Sequence, residues 1–226
     1  RLNVRSMAVR QRRTQSERRE ESERRLLTAA AEIIATEGFA AASFDRIGQA
    51  AGYSRGLASQ KFGSKDGLVE AVIMFVSGRI DAATALALAS ASTPVEEVLA
   101  HVEATLVRIE EDHLARSYFV MMAAAIANRL PIQKAFLAQH DQFRVRVRNI
   151  SERGVAEHSI RGEIDADAAA ISIGSMMLGI ATQLLLDPDL NISAVRAAAM
   201  TAVARALQVE HGTPGAVGAG WSVRGV

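Results

Sequence analysis

Between the aromatics Tyr53 and Phe62 the chain places Arg55, Ser59, Gln60 and Lys61, with Ser54 just before them and Lys65 three residues beyond. These side chains are hydrogen-bond donors and cations rather than a nucleophile with its base. A Gln amide pairs bidentately with adenine, and an Arg guanidinium with guanine or a phosphate. Gly56 has no side chain to hold the backbone away from a partner, a reason to accept a helix penalty of about 1 kcal/mol. Lys65 opens a further helix, where a cation conflicts with the helix dipole and a bound phosphate would offset the conflict. A second constellation is Glu110 with His113, the spacing used in di-metal helical bundles; such a site needs two of these motifs and two further Glu, and no second motif exists. There is no Gly-rich phosphate loop and no nucleophile motif, so neither an enzyme nor a cofactor is expected.

The elements that must carry these residues are helices. Leu26, Ala30 and Ile33 repeat at helical spacing, widened by Leu27, Ala31 and Ile34, until Gly38 supplies a stop. Ser43 caps a second helix, with Asp45 in its first turn and Phe44, Ile47 and Ala51 facing inward, ended by Gly52. Ser54 caps a third, whose Ala58 and Phe62 share one face, and Ser64 caps a fourth. Two short helices around a glycine turn have the dimensions of a helix-turn-helix, whose second helix enters the major groove. The same arrangement also occurs in proteins that never touch DNA.

No window alternates as a half-buried strand does, so the fold class is all-α. Thr93 and Pro94 open a helix through Ile109; others span about 114–128, Pro131 to Ser159 or Gly162, a segment capped by Asp165 or Asp167, and Ser193 to about Glu210. Residues 168–186 form an uncharged run of 19. Asp167 and Asp187 flank it and no basic residue anchors it, so a buried helix is expected rather than a membrane span.

Formal net charge is only +1, but residues 1–65 carry 13 Lys or Arg against 7 Asp or Glu, and residues 66–226 carry 13 against 18. The basic half lies where nucleic acid would be met. The mixed charges of Arg12 to Arg25 read first as an arm running into an exposed helix start; the sharper alternative is that Arg10, Arg12 and Arg13 reach phosphates or a minor groove. The first 25 residues hold nine Arg and no apolar run, so no secretory leader is expected. Cysteine is absent, which fits a reducing cytoplasm.

From Arg24 to Val72, through the EGF ending of the first helix, IGQAAGYSRG and FGSKDGL, the chain resembles the DNA-binding domain of TetR-family transcriptional regulators over about fifty residues. The resemblance implies a DNA-binding domain at 22–70 after a basic arm at 1–21, a larger helical ligand-binding and dimerisation domain at 71–210, and a tail at 211–226. It implies a homodimeric repressor on a palindromic operator, responding to an unknown small molecule. It places Ser43 and Arg46 beside the DNA backbone, gathers Tyr53, Ser54, Arg55, Gly56, Ser59, Gln60 and Lys61 on the DNA side, and gives Lys65 a phosphate. Many members have Thr, Leu and Tyr where this chain has Leu57, Ala58 and Ser59, so another member's operator does not transfer.

Dimerisation is expected through helices of about 167–186 and 193–210, with Ala170, Gly174, Ala181, Met176 and Met177 suited to close packing; an intramolecular core explains them equally. His101, Tyr118, Met121, Met122, Phe143 and Met177 are candidate ligand contacts, with Phe136 beside them and Arg108 or His140 as alternative polar handles. A sequence-tolerant architectural DNA binder is the remaining alternative, against which the modest charge weighs.

Overall fold

The computed structural model describes residues 14–208. Arg10, Arg12, Arg13, Glu210 and the tail at 211–226 lie outside them. Among the described residues the fold is all-α, with nine α-helices.

Helix α1 (Gln15–Glu37) begins earlier than the apolar stripe announces. Thr14 accepts from the Glu17 amide while the Glu17 carboxylate accepts from the Thr14 amide, a reciprocal capping box. Glu21 then bridges to Arg24 and Arg25 one turn on, and these ion pairs hold its carboxyl below the usual range. Residues 15–21, expected to belong to the arm, are therefore the first turns of α1. Its apolar face buries Leu26, Ala30 and Ile34, and Gly38 ends it at φ 89°.

After a short 3-10 turn (Phe39–Ala41) come α2 (Phe44–Ala51) and α3 (Arg55–Phe62), capped by Ser43 and Ser54. Gly52 turns the chain between them in the left-handed region, φ 76°. Gly48 makes the crossing possible. The Tyr53 amide donates to the Gly48 carbonyl at 2.7 Å, and a Cβ at 48 would lie 2.9 Å from the Tyr53 carbonyl oxygen. Gly67 does the same for the next helix, since its Cβ would meet the Phe62 carbonyl oxygen at 2.4 Å.

Helix α4 (Lys65–Leu88) runs unbroken through position 70, so the division expected there falls inside a helix. It packs along α5 (Pro94–Glu111), which opens with a Thr93/Glu96 capping box. Helix α6 (Ala115–Asn128) has no side-chain cap of its own. The turn before it is held by Asp112, buried, whose carboxylate accepts from Leu114 N at 3.1 Å and from Arg79 of α4 at 2.7 Å. Helix α6 also packs on α1, tying the N-terminal helices to the rest.

Helix α7 (Gln133–Ala156) starts two residues after Pro131 and lies along α8 (Ala166–Leu186). Asp165, not Asp167, caps α8, accepting from the Asp167 and Ala168 amides. Asn191, not Ser193, caps α9 (Ile192–Leu207). Both α4 and α8 are long and apolar enough to cross a membrane, yet each packs against a neighbour in the bundle.

Alanine at position 48 gains about 1 kcal/mol of helix propensity but must push the backbone of residues 53–55 aside. Gly48→Ala is expected to lose about 1–2 kcal/mol net, measured as a lower urea midpoint at unchanged slope. An equal or higher midpoint would show that the α2–α3 crossing has slack.

Candidate nucleic-acid interface and effector cavity

Helix α3 has only two turns, and one fully buried side chain, Ala58. Leu57 and Phe62 are partly covered and pack on the core, as does Tyr53 before the helix. Arg55, Gly56 and Gln60 are exposed and Ser59 half-exposed, so the structure brings most of the sequence-predicted set onto one outward surface. Nothing in the fold requires glycine at 56: a Cβ there would meet only Ser54 Oγ, at 3.7 Å.

The cations near this surface have acidic or aromatic partners. Arg46 Nη2 donates to both carboxylate oxygens of Glu37, at 2.6 and 2.7 Å. Arg55 lies 3.3 Å from Asp45, both well exposed. Such exposed pairs contribute about 0–1 kcal/mol each, so a phosphate can displace them. Lys65 Nζ sits 4.5 Å from the centre of the Phe39 ring. That cation–π contact, worth about 0.5–1 kcal/mol at an exposed site, already offsets the dipole conflict without a bound anion.

Lys61 departs from the expected set. Its ammonium donates to the Arg19 carbonyl and the Glu23 carboxylate, both at 3.1 Å, and its side chain is only 14% exposed. It fastens α3 to α1 instead of facing outward. Ser43 and Ser54 spend their hydroxyl oxygens as helix caps, accepting from Arg46 N and Leu57 N, and keep a proton to donate.

Among the C-terminal helices, His101, Tyr118, Phe143 and Met177 line one cavity of about 320 Å³ between α4, α5, α6, α7 and α8. His140 joins them, stacked on Tyr118. Met121 and Met122 do not line it. Both are buried about one turn further along α6 than Tyr118 and Phe119, which do line it. Phe136 backs Tyr118 edge-on at 5.0 Å, and Arg108 turns to Asp112 instead. Sequence reasoning reads Arg146 as solvated or paired with a neighbouring acid and does not foresee that its partner is Asp81, 65 residues away and 3.3 Å distant, beside the cavity. Burial pushes His101 down to about 4, with Arg146 adding to the effect and Asp81 opposing it. His140 is lowered and the Tyr118 hydroxyl raised, also by burial first.

The small residues assigned to a subunit interface also need correction. Ala170, Ala181 and Met177 are buried within the chain's own core, and Gly174 faces Phe143, where a Cβ would come within 3.1 Å of the ring. The outward face of α8 carries Ile171, Ser172, Ser175, Gly179, Thr182 and Leu186. Glu110 and His113 diverge as well: Glu110 binds Arg196 and Ser193 of α9, while His113 lies 3.8 Å from Glu32 of α1. Among the described residues no three His, Asp or Glu side chains gather as a metal would need.

Residues 26–72 match the family model described as bacterial regulatory proteins, tetR family, and residues 94–208 match that of BetI-type transcriptional repressor, C-terminal. No curated protein matches. A solved TetR transcriptional regulator from Chloroflexus aurantiacus superposes with TM-score 0.74 at 21% identity, covering 85% of this chain and 98% of its own. SmeT, the repressor of the Stenotrophomonas maltophilia multidrug efflux pump SmeDEF, superposes with TM-score 0.70 at 20% identity, covering 88% and 98%. A putative TetR-family regulator from Rhodococcus sp. gives 0.72 at 16%, covering 84% and 100%. The chain belongs to the TetR family of transcriptional regulators: a helix-turn-helix DNA-binding domain followed by a helical ligand-binding domain.

The two lysines separate cleanly in salt titrations of DNA binding. Lys65→Ala is expected to flatten the dependence of log K on log salt by about 1, whereas Lys61→Met leaves it unchanged. A flattened slope for Lys61→Met would put its ammonium back on a phosphate.

Proposed function

We propose that the protein is a ligand-responsive repressor that binds a palindromic operator as a homodimer. The observation carrying this reading is that the exposed side chains of α3 have no packing role, while the same chain holds an apolar cavity bounded by the helix, α4, that leads from α3. A head around residues 22–70, extended by the first turns of α1, presents Arg55, Ser59 and Gln60 to a major groove, with Gly56 at the closest approach. Arg46 and Lys65, with Ser43, Tyr53 and Ser54, fix the register on phosphates.

Two heads reach successive half-sites only in a dimer, with centres about 34–36 Å apart on B-DNA. The outward faces of α8 and α9, uncharged along Ile171, Ser175, Gly179 and Thr182 and along Ala194, Ala197, Ala198 and Thr201, support pairing through these helices. A ligand in the cavity between α4 and α8 alters the separation of the heads and releases DNA. Repression, printed for the BetI-type model matched at 94–208 and for SmeT, is carried to this chain by those likenesses.

Selection of bound sites from a random DNA pool, followed by footprinting, tests the reading. One palindrome with half-sites a helical turn apart supports it; uniform protection without a preferred sequence supports an architectural binder. Within the selected site, Gln60→Ala is expected to cost about 1–3 kcal/mol and relax preference at one position per half-site. Equal weakening on every sequence would remove Gln60 from base reading.

A further inference from the structure

We infer that the cavity takes an uncharged, largely apolar molecule about the size of two fused rings, carrying one hydrogen-bonding group that meets His101. This deepens the ligand-responsive reading and rests on it. The size follows from the volume: a cavity of about 150 Å³ accommodates benzene, and this one has about 320 Å³. Its walls are mostly apolar, with Ile80, Ile109, Phe119 and Leu178 beside the rings of Tyr118 and Phe143. Leu137 and Ile171 line it and are themselves exposed, giving an apolar rim.

The polar demand comes from His101. Its side chain belongs to the wall, the residue is 4% exposed, and its Nδ1 is buried with no hydrogen-bond partner in the protein. Phe143 packs edge-on against the ring at 5.0 Å and offers no polar atom. An unpaired buried polar atom costs about 1–3 kcal/mol, so it marks a place where a partner is to be supplied.

The charge of the partner follows from what surrounds it. Arg146 donates to Asp81 at 3.3 Å, while Arg144 lies 3.6 Å from Asp141 and 3.5 Å from Asp167, close enough for charge pairing without a hydrogen bond. An anionic ligand meets the three carboxylates already gathered around the two guanidiniums, and a cationic one meets the guanidiniums themselves. Burial keeps the imidazole neutral down to about pH 4, so it adds no charge of its own at neutral pH. A hydroxyl or carbonyl matches the site; a carboxylate or ammonium does not.

Equilibrium dialysis of the full-length protein against 2-naphthol, naphthalene and 2-naphthoate tests the assignment. The naphthol is expected to be held about ten-fold more tightly than either of the others. His101→Leu should bring naphthol and naphthalene to within about two-fold of each other, with naphthalene binding showing that the cavity has survived; His101→Gln, which keeps a hydrogen-bonding group, should restore the preference. Naphthoate binding tightest, no binding of any of the three, or a naphthol preference that persists in His101→Leu would overturn the inference. Release of operator DNA by a charged molecule in place of naphthol would overturn the ligand class and leave the ligand-responsive reading standing. Tight, His101-dependent naphthol binding with the operator still held would uphold the class and count against that reading.

Discussion

Residues 48 and 53 approach so closely that the backbone at Gly48 has no room for a methyl group, and the presentation of α3 depends on that contact. A two-turn helix with one fully buried side chain cannot hold its own orientation by packing. It is held instead from both ends: by the Tyr53 amide on Gly48, by Gly67 against the Phe62 carbonyl, and from the side by Lys61 on α1. The first three helices and the start of α4 therefore form one stiff head. Under the ligand-responsive reading proposed above, a signal from the C-terminal domain would move that head as a unit, along α4 and through the α1–α6 contact.

Charge in the head is arranged with restraint. Arg46, Arg55 and Lys61 each have a carboxylate within reach, and Lys65 has a ring face. A phosphate that contacts Arg46 or Arg55 meets an acid already beside the guanidinium, so the electrostatic gain per contact is smaller than for a free cation. This is a physical counterpart of the near-neutral sequence: the basic residues of the N-terminal third are real, but several are already answered inside the fold.

Much of this is legible in the sequence where the signal is local. Ser43, Ser54, Ser64 and Thr93 all cap the helices that their positions predict, because an N-cap is read within four residues. The start of α1 escapes notice although Thr14 and Glu17 spell a capping box, since the charged stretch that follows carries no apolar period until Leu26. Lys61 is misplaced by its sequence context because its partner, Glu23, is 38 residues away and no local pattern announces it. The register of α8 fails for another reason: Ala170, Gly174 and Ala181 would pack equally well against a second subunit or against α7, and spacing cannot tell the two apart. The cavity is half legible, its rings and His101 foreseen, its Arg146–Asp81 pair hidden in the long-range contact of α4 with α7.

The bare, unneeded space at Gly56 and the solvent-facing side chains of Arg55 and Gln60 have a bearing on how such a protein diversifies. Surface positions that carry no packing tolerate exchange at a cost within about 0.5 kcal/mol of folding free energy. Where Arg55 and Gln60 read the operator as proposed, a new DNA address needs only a few outward side chains exchanged, while the backbone contacts beneath them at Gly48 and Gly67 leave no room for even a methyl group.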